Sequence, residues 1–290
     1  MSGKRLKLIS LGLAAALVVV ILIALVALFT QARRLPTGRP DYVALGSSFA
    51  AGAGLGPLQT DSPLLCARSI GGYPQVLARK LSLSIVDMSC GGAVTRHVLD
   101  GGQFFQGPQI RALSPETRLV TLTVGGNDVG YIGDLSLLAM RRDGGLFAAM
   151  VKATWSGPKP ASARDFPKLK AELDAVLRAV RARSPNAVIV VATYPMILPP
   201  AGTCAALGLS QDEMELMRQV GDRLAETTRA AAADGGAIIV DMHQLGVGHD
   251  VCSTSPWTGG WKNNGPAPFH PTAAGAQATA IAIENVLPFR

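Results

Sequence analysis

Tyr42-Val43-Ala44-Leu45-Gly46-Ser47-Ser48-Phe49-Ala50-Ala51-Gly52 sets the reading of the whole chain. Four apolar residues ending at a glycine read as a short buried strand that stops at a turn. Runs of the same kind recur at 84–86, 119–124, 188–192 and 238–240, which suggests five buried strands. Helical patterns lie between them. In 167–183, Leu169, Leu173, Val176, Leu177 and Val180 fall on one face of an α-helix. Ser210 with Glu213 forms a capping box that opens a helix reaching about residue 233, ahead of Gly235 and Gly236. An alanine-rich helix is expected over 272–286. Strands alternating with helices predict an α/β fold whose parallel sheet is covered on both faces.

The chain has 290 residues, 48% of them apolar and 16% charged, and its mean hydropathy is +0.29. Disorder requires low hydrophobicity and high charge, so the bulk of the chain folds. A net charge of +7 at first suggests a nucleic-acid partner. However, Lys4, Arg5, Lys7, Arg33, Arg34 and Arg39 all precede Asp41, in a segment without Asp or Glu, leaving 21 basic against 20 acidic side chains beyond it. The folded part is nearly neutral and carries no basic footprint for nucleic acid.

Residues 8–29 are 22 uncharged residues, and a helix of that length spans about 33 Å, enough for the hydrocarbon core of a bilayer. The segment exceeds the roughly 7 to 15 apolar residues of a cleaved signal peptide, which favours a signal anchor over residues 1–30. Thr30 and Ala32 keep a cleavage site open as the alternative. Residues 31–40, basic and holding Pro36, Gly38 and Pro40, read as a tether to a domain over 41–290. Three basic residues on each side of the helix leave its orientation open by charge alone. Cys66, Cys90, Cys204 and Cys252 decide it, because an even number of cysteines behind an export segment points to disulfides outside the cytoplasm. Four cysteines allow three pairings. Local pairing of Cys66 with Cys90 and Cys204 with Cys252, each bridge worth about 3 to 4 kcal/mol in the chain-entropy model, is the expected one.

Residues 133–163 interrupt the alternation with Leu135, Leu138, Leu146, Phe147, Met150, Val151 and Trp155. Two readings stand: a helical hairpin packed on the core, or a hydrophobic lid over a site for an apolar ligand.

Ser47 and Ser48 follow a strand at the carboxyl edge of the sheet, where open α/β folds place ligands. A serine there is either a nucleophile or a helix cap. Gly125-Gly126-Asn127-Asp128 ends the third strand. An Asn amide aimed from such a turn donates to an oxyanion, or else closes a turn on its own backbone. Gly91 and Gly92 expose backbone N–H groups. Of His97, His243, His249 and His270, only His270, in Phe269-His270-Pro271, sits at the junction that opens the last helix, where an imidazole is held to take a serine proton. Asp241 with His243 and His249 with Asp250 lack a third ligand, so no metal site is expected.

The ordered set Gly46-Ser47-Ser48, Gly92, Gly126-Asn127-Asp128 and His270-Pro271 resembles the four blocks of the SGNH (GDSL-like) hydrolases over essentially all of 41–290. The cysteines and Gly248-His249-Asp250-Val251-Cys252 are similar to the secreted actinobacterial lipase and esterase branch. The resemblance implies a three-layer α/β/α sandwich on a mostly parallel five-stranded sheet, Ser48 as nucleophile and His270 as general base. It also implies an oxyanion hole from the Ser48 N–H, the Gly92 N–H and Asn127, and no cofactor.

Two positions depart from the family pattern. Ser47 replaces the usual Asp before the nucleophile, and Ala267 replaces the usual Asp three residues before the histidine. The carbonyl of Ala267 or Pro268 is then expected to orient His270, with Asp241 and Asp250 as the alternative carboxylates. The expected activity is hydrolysis of carboxylic esters, lipidic ones given the apolar 135–155 stretch, the anchor and only 5% aromatic residues for stacking sugars. The expected partners are an ester substrate and, through the N-terminal helix, the membrane, with a monomer favoured. Acyl transfer to or deacetylation of envelope glycan or lipid, and an inactive envelope-binding role, are the alternatives.

Overall fold

The computed structural model describes residues 3–34, 38–60, 62–262, 265 and 267–289, with the side chains of 3–10 left aside. The tether expected at 31–40 therefore falls, at 35–37, outside the described residues. Five strands, β1 (Tyr42–Gly46), β2 (Ile85–Asp87), β3 (Leu119–Thr123), β4 (Val188–Ala192) and β5 (Ile238–Val240), form one sheet in the order β2-β1-β3-β4-β5. All its pairings are parallel, so the mostly parallel sheet expected from sequence is parallel throughout. The helices in chain order are α1 (Gly3–Arg33), α2 (Ser48–Ala51), α3 (Tyr73–Leu81), α4 (Thr95–Leu99), α5 (Tyr131–Met140), α6 (Gly145–Thr154), α7 (Phe166–Arg183), α8 (Gln211–Asp234), α9 (Met242–Leu245) and α10 (Ala273–Val286).

Strand side chains alternate between two cores. Val43, Leu45, Val120, Leu122, Ile189 and Val191 join Leu169, Leu173 and Leu177 of α7 and Met217, Val220 and Leu224 of α8. Tyr42, Ala44, Leu119, Val190 and Val240 join Leu77 of α3 and Ala276, Ala280 and Ile283 of α10. Each large apolar side chain so buried contributes about 1.5 to 3 kcal/mol. The second core also buries Thr121 and Thr123, whose hydroxyls pair with Tyr42 Oη at 2.7 Å and Tyr73 Oη at 3.0 Å, so no polar cost is left there. Helix starts are fixed by side chains: Asp165 accepts from the Lys168 N–H at 2.9 Å, and Thr272 from the Gly275 N–H at 3.1 Å.

The 133–163 excursion contains a helical hairpin. α5 buries Leu135, Leu138 and Ala139, and α6 packs on it through Ala148 and Val151. Leu146, Phe147 and Met150 stay exposed on the outer face of α6. Arg141 and Arg142 at the turn pair with Glu213 of the α8 capping box. Disulfides join Cys66 to Cys90 and Cys204 to Cys252.

The N-terminal helix runs past the boundary expected at residue 30. α1 continues through Arg33 because the domain holds its last turn: Gln31 Nε2 donates to the Ser62 carbonyl at 3.1 Å, and Arg111 donates to the Ala32 carbonyl at 3.2 Å. Its stretch Leu11–Arg33 is long and apolar enough to cross a membrane.

The chain leaves β1 toward β2 on one side and returns to β3 on the other, so the strand order reverses between β1 and β3. Parallel sheets open a crevice at such a point beyond the carboxyl ends of the strands. Gly46 pairs with Thr123, so the two strands end level and their following turns face each other.

Candidate active site

Gly46 ends β1 with φ 140°, and a Cβ there would collide with the Thr123 carbonyl. Only glycine lets the chain turn so tightly against β3. Gln109, buried, clamps this turn: its Oε1 accepts from the Gly46 N–H at 2.7 Å and its Nε2 donates to the Gly46 carbonyl at 2.9 Å. The next residue, Ser47, is wholly buried and occupies the N-cap position of α2 without a capping bond. Its hydroxyl instead pairs with Tyr194 Oη at 2.8 Å, and the same phenol accepts from the Gly126 N–H at 3.3 Å. Burial drives the Tyr194 phenol far above its ordinary pKa, so it stays a neutral hydrogen-bonding post between the turns after β1 and β3.

Ser48 begins α2, and its Oγ lies 2.7 Å from His270 Nε2. His270 Nδ1 lies 2.7 Å from the Pro268 carbonyl, which can only accept, so Nδ1 carries the proton and Nε2 faces the Ser48 hydroxyl as an acceptor. Of the two carbonyls expected to orient the ring, Pro268 meets Nδ1, while Ala267 accepts the His270 backbone N–H at 3.0 Å. Phe269 adopts a left-handed φ of 58°, held by its own N–H on the Gly259 carbonyl at 3.0 Å. Phe49 packs beside the imidazole at 5.3 Å between ring centroids. Burial lowers the His270 pKa below 6.5, and the Pro268 bond offsets part of that fall.

The turns carrying Gly92 and Asn127 are tied to the same edge. The Cys90 N–H donates to the Gly46 carbonyl at 3.0 Å, and Asn127 Nδ2 donates one proton to the Ala93 carbonyl at 2.9 Å, leaving a second. Among the described residues, neither the Ser48 N–H nor the Gly92 N–H has an acceptor. The Asn127-Asp128 turn closes through the Gly130 N–H on the Asn127 carbonyl at 3.1 Å, and the Asp128 carboxylate also takes the Thr95 N–H at 2.9 Å and lies 2.5 Å from the Thr95 hydroxyl. That hydroxyl also lies 2.6 Å from Glu172. Burial raises the Asp128 carboxyl pKa, the Thr95 bonds oppose the rise, and the Glu172 charge adds to it.

The other candidates lie elsewhere in bonded roles. Asp241 pairs with Arg229 at 2.9 Å and caps α9, and Asp250 accepts from the Cys252 N–H at 2.8 Å. His243 meets Asp222, His249 stacks on Trp257, and His97 accepts from the Val94 N–H.

A serine hydroxyl on a correctly tautomerised imidazole, beside free N–H groups at a strand-order reversal, is suited to acyl transfer. The model of the GDSL-like lipase/acylhydrolase family matches residues 44–278, spanning every group just described. The chain belongs to that family. It is similar to Lipase 1 of Streptomyces coelicolor, at 31% identity over 86% of this chain and 87% of that protein. Among solved structures it is similar to the extracellular lipase of Streptomyces rimosus, with a TM-score of 0.68 at 28% identity, covering 85% of this chain and 99% of that one. It is likewise similar to phospholipase A1 of Streptomyces albidoflavus, with a TM-score of 0.67 at 29% identity, covering 86% and 100%. This family member is a carboxylic ester hydrolase of the lipase/esterase type.

Sequence reading missed Gln109 and Tyr194. Gln109 acts 63 residues from Gly46, and Tyr194 acts 147 residues from Ser47 and 68 from Gly126, so no local pattern announces them. The glycines they secure, Gly46 and Gly126, were the visible part of the same devices.

Proposed function

We propose that the chain is a membrane-anchored, extracytoplasmic esterase that hydrolyses lipidic carboxylic esters through an acyl-enzyme on Ser48. The observation that carries this reading is the chain of contacts from Ser48 Oγ to His270 Nε2 and from His270 Nδ1 to the Pro268 carbonyl. Ser48 Oγ attacks the ester carbonyl carbon while Nε2 takes the hydroxyl proton. The Ser48 N–H, the Gly92 N–H and the second Asn127 Nδ2 proton stabilise the oxyanion, each such donor supplying about 3 to 4 kcal/mol to the transition state. Collapse expels the alcohol, which leaves with the proton from Nε2. Water then repeats the sequence and releases the acid.

A lowered His270 pKa supports the role of base, because the imidazole is neutral at pH 7. The Pro268 carbonyl fixes the tautomer that a carboxylate fixes in a triad, so the catalytic unit is a Ser-His dyad. The exposed Leu146, Phe147 and Met150 on α6, together with α1, favour an apolar substrate. Trp261, stacked near Phe269, donates to Asp143 at 2.6 Å and so joins the α5–α6 turn to the segment that carries His270. Two disulfides behind an export helix, and a relative described as an extracellular lipase, support a location outside the cytoplasm.

The test is hydrolysis of p-nitrophenyl esters from acetyl to palmitoyl by the full chain in detergent micelles. Loss of activity in both Ser48→Ala and His270→Ala is expected, with a chain-length optimum above acetyl. Equal rates in wild type and Ser48→Ala would overturn the assignment.

A further inference from the structure

We propose that the surface carrying Leu64, Leu65, Phe104 and Phe105 seats on the membrane that α1 spans, so that the enzyme draws its ester substrate from the leaflet at the carboxyl end of that helix. The proposal deepens the Ser48-His270 esterase reading and rests on it for the substrate class.

Four large apolar side chains are exposed here: Leu64 at 61%, Leu65 at 48%, Phe104 at 42% and Phe105 at 51%. They lie on two loops that each touch the turn carrying Gly91 and Gly92. The Gly91 N–H donates to the Cys66 carbonyl at 2.9 Å, within the loop that the Cys66–Cys90 disulfide pins. On the other side Gln103 Nε2 donates to the Gly91 carbonyl at 2.6 Å. Phe104 and Phe105 follow with left-handed φ of 47° and 63°, a backbone conformation disfavoured for residues that carry side chains. The chain adopts it and leaves both residues about half exposed, the opposite of what folding in water alone favours.

The same two loops receive the end of α1. Phe29 meets Phe105 edge to face at 5.8 Å, and Gln31 Nε2 reaches the Ser62 carbonyl at 3.1 Å. The apolar patch is thus continuous with the helix that is long and apolar enough to cross a bilayer, at the level where that helix leaves the hydrocarbon. Arginines gather there, as a headgroup region attracts. Arg33 lies over the Phe29 ring at 5.1 Å, and Arg111 donates to the carbonyls of Ala32 and Arg34. These contacts join the end of α1 to the domain on the side that carries the patch. An exposed apolar surface beside Arg33 and Arg111 at the end of a helix long enough to cross a membrane fits lipid, with its acyl chains under the leucines and phenylalanines and its phosphates beside the two arginines.

The test uses the full chain reconstituted in vesicles of phosphatidylglycerol and phosphatidylcholine that contain a fluorogenic ester lipid. In the variant combining Leu64→Asp, Leu65→Asp and Phe104→Asp, turnover of the bilayer lipid is expected to fall about tenfold or more, while hydrolysis of soluble p-nitrophenyl acetate stays within about twofold of wild type. An unchanged bilayer rate would overturn the proposal. A second arm does not depend on catalysis. In Phe104→Trp, added fluorescence over wild type is expected to be quenched by lipids brominated in their acyl chains, and absence of that quenching overturns the proposal. If Ser48→Ala hydrolyses p-nitrophenyl acetate as fast as wild type, the esterase reading fails by itself, and the quenching arm still reads the surface.

Discussion

Replacing Gln109 by alanine tests how the reactive turn is held. Gln109 makes both bonds to the backbone of Gly46, at 2.7 and 2.9 Å, two residues before Ser48. Without the side chain, the buried Gly46 N–H has no partner among the described residues, a loss of about 1 to 3 kcal/mol. The Gly46 carbonyl keeps the Cys90 N–H at 3.0 Å, so its loss is only about 1 kcal/mol. A total near 2 to 4 kcal/mol corresponds to a fall in Tm of about 5 to 15 °C for a domain of this size. Gly46 freed from its clamp also lets Ser48 drift from His270, so kcat on p-nitrophenyl butyrate is expected to drop about 10- to 100-fold with KM little changed. Thermal melts followed by circular dichroism and steady-state kinetics of the full chain in detergent read both effects. A Tm within about 1 °C of wild type together with an unchanged kcat would refute the clamp.

Three further outcomes are expected. Because burial lowers the His270 pKa, its base form persists below pH 6.5, so kcat/KM on a soluble ester falls on the acid side with an apparent pKa under 6.5; a limb centred above that value contradicts the assignment. Asn127→Ala removes one of the proposed oxyanion donors and is expected to lower kcat about 10²- to 10³-fold with the fold intact by circular dichroism; a loss smaller than about tenfold would overturn that proposed role. The Cys204–Cys252 bond closes a separation of 48 residues, so replacing both cysteines by serine is expected to lower the melting temperature by about 6 to 16 °C, from a loss of about 3 to 4 kcal/mol; an unchanged melt refutes that contribution.

The architecture was legible because its causes are local. A run such as Val188–Ala192 is apolar throughout since a parallel strand is buried on both faces, and Ser210 with Glu213 announces α8 by chemistry within one turn. The ends of α1 were not legible: nothing in residues 30–33 says that Ser62 and Arg111, far along the chain, extend the helix. The candidate site divides in the same way. Ser48, Gly92, Asn127 and His270 stand in short turns rich in glycine and proline, which a sequence displays. Gln109 and Tyr194 sit in unremarkable surroundings and work across the sheet edge. Ala267 showed that no carboxylate stands at the usual place, but the choice between two neighbouring carbonyls needed the left-handed turn at Phe269.

The central claim is that His270 activates Ser48 as the nucleophile. Reaction of the full chain with a p-nitrophenyl alkylphosphonate, followed by peptide mapping in a mass spectrometer, tests it most directly. The account predicts one phosphonyl adduct on Ser48, strongly slowed in His270→Ala and absent in Ser48→Ala. An adduct on another residue, or equal labelling of His270→Ala and wild type, would contradict it.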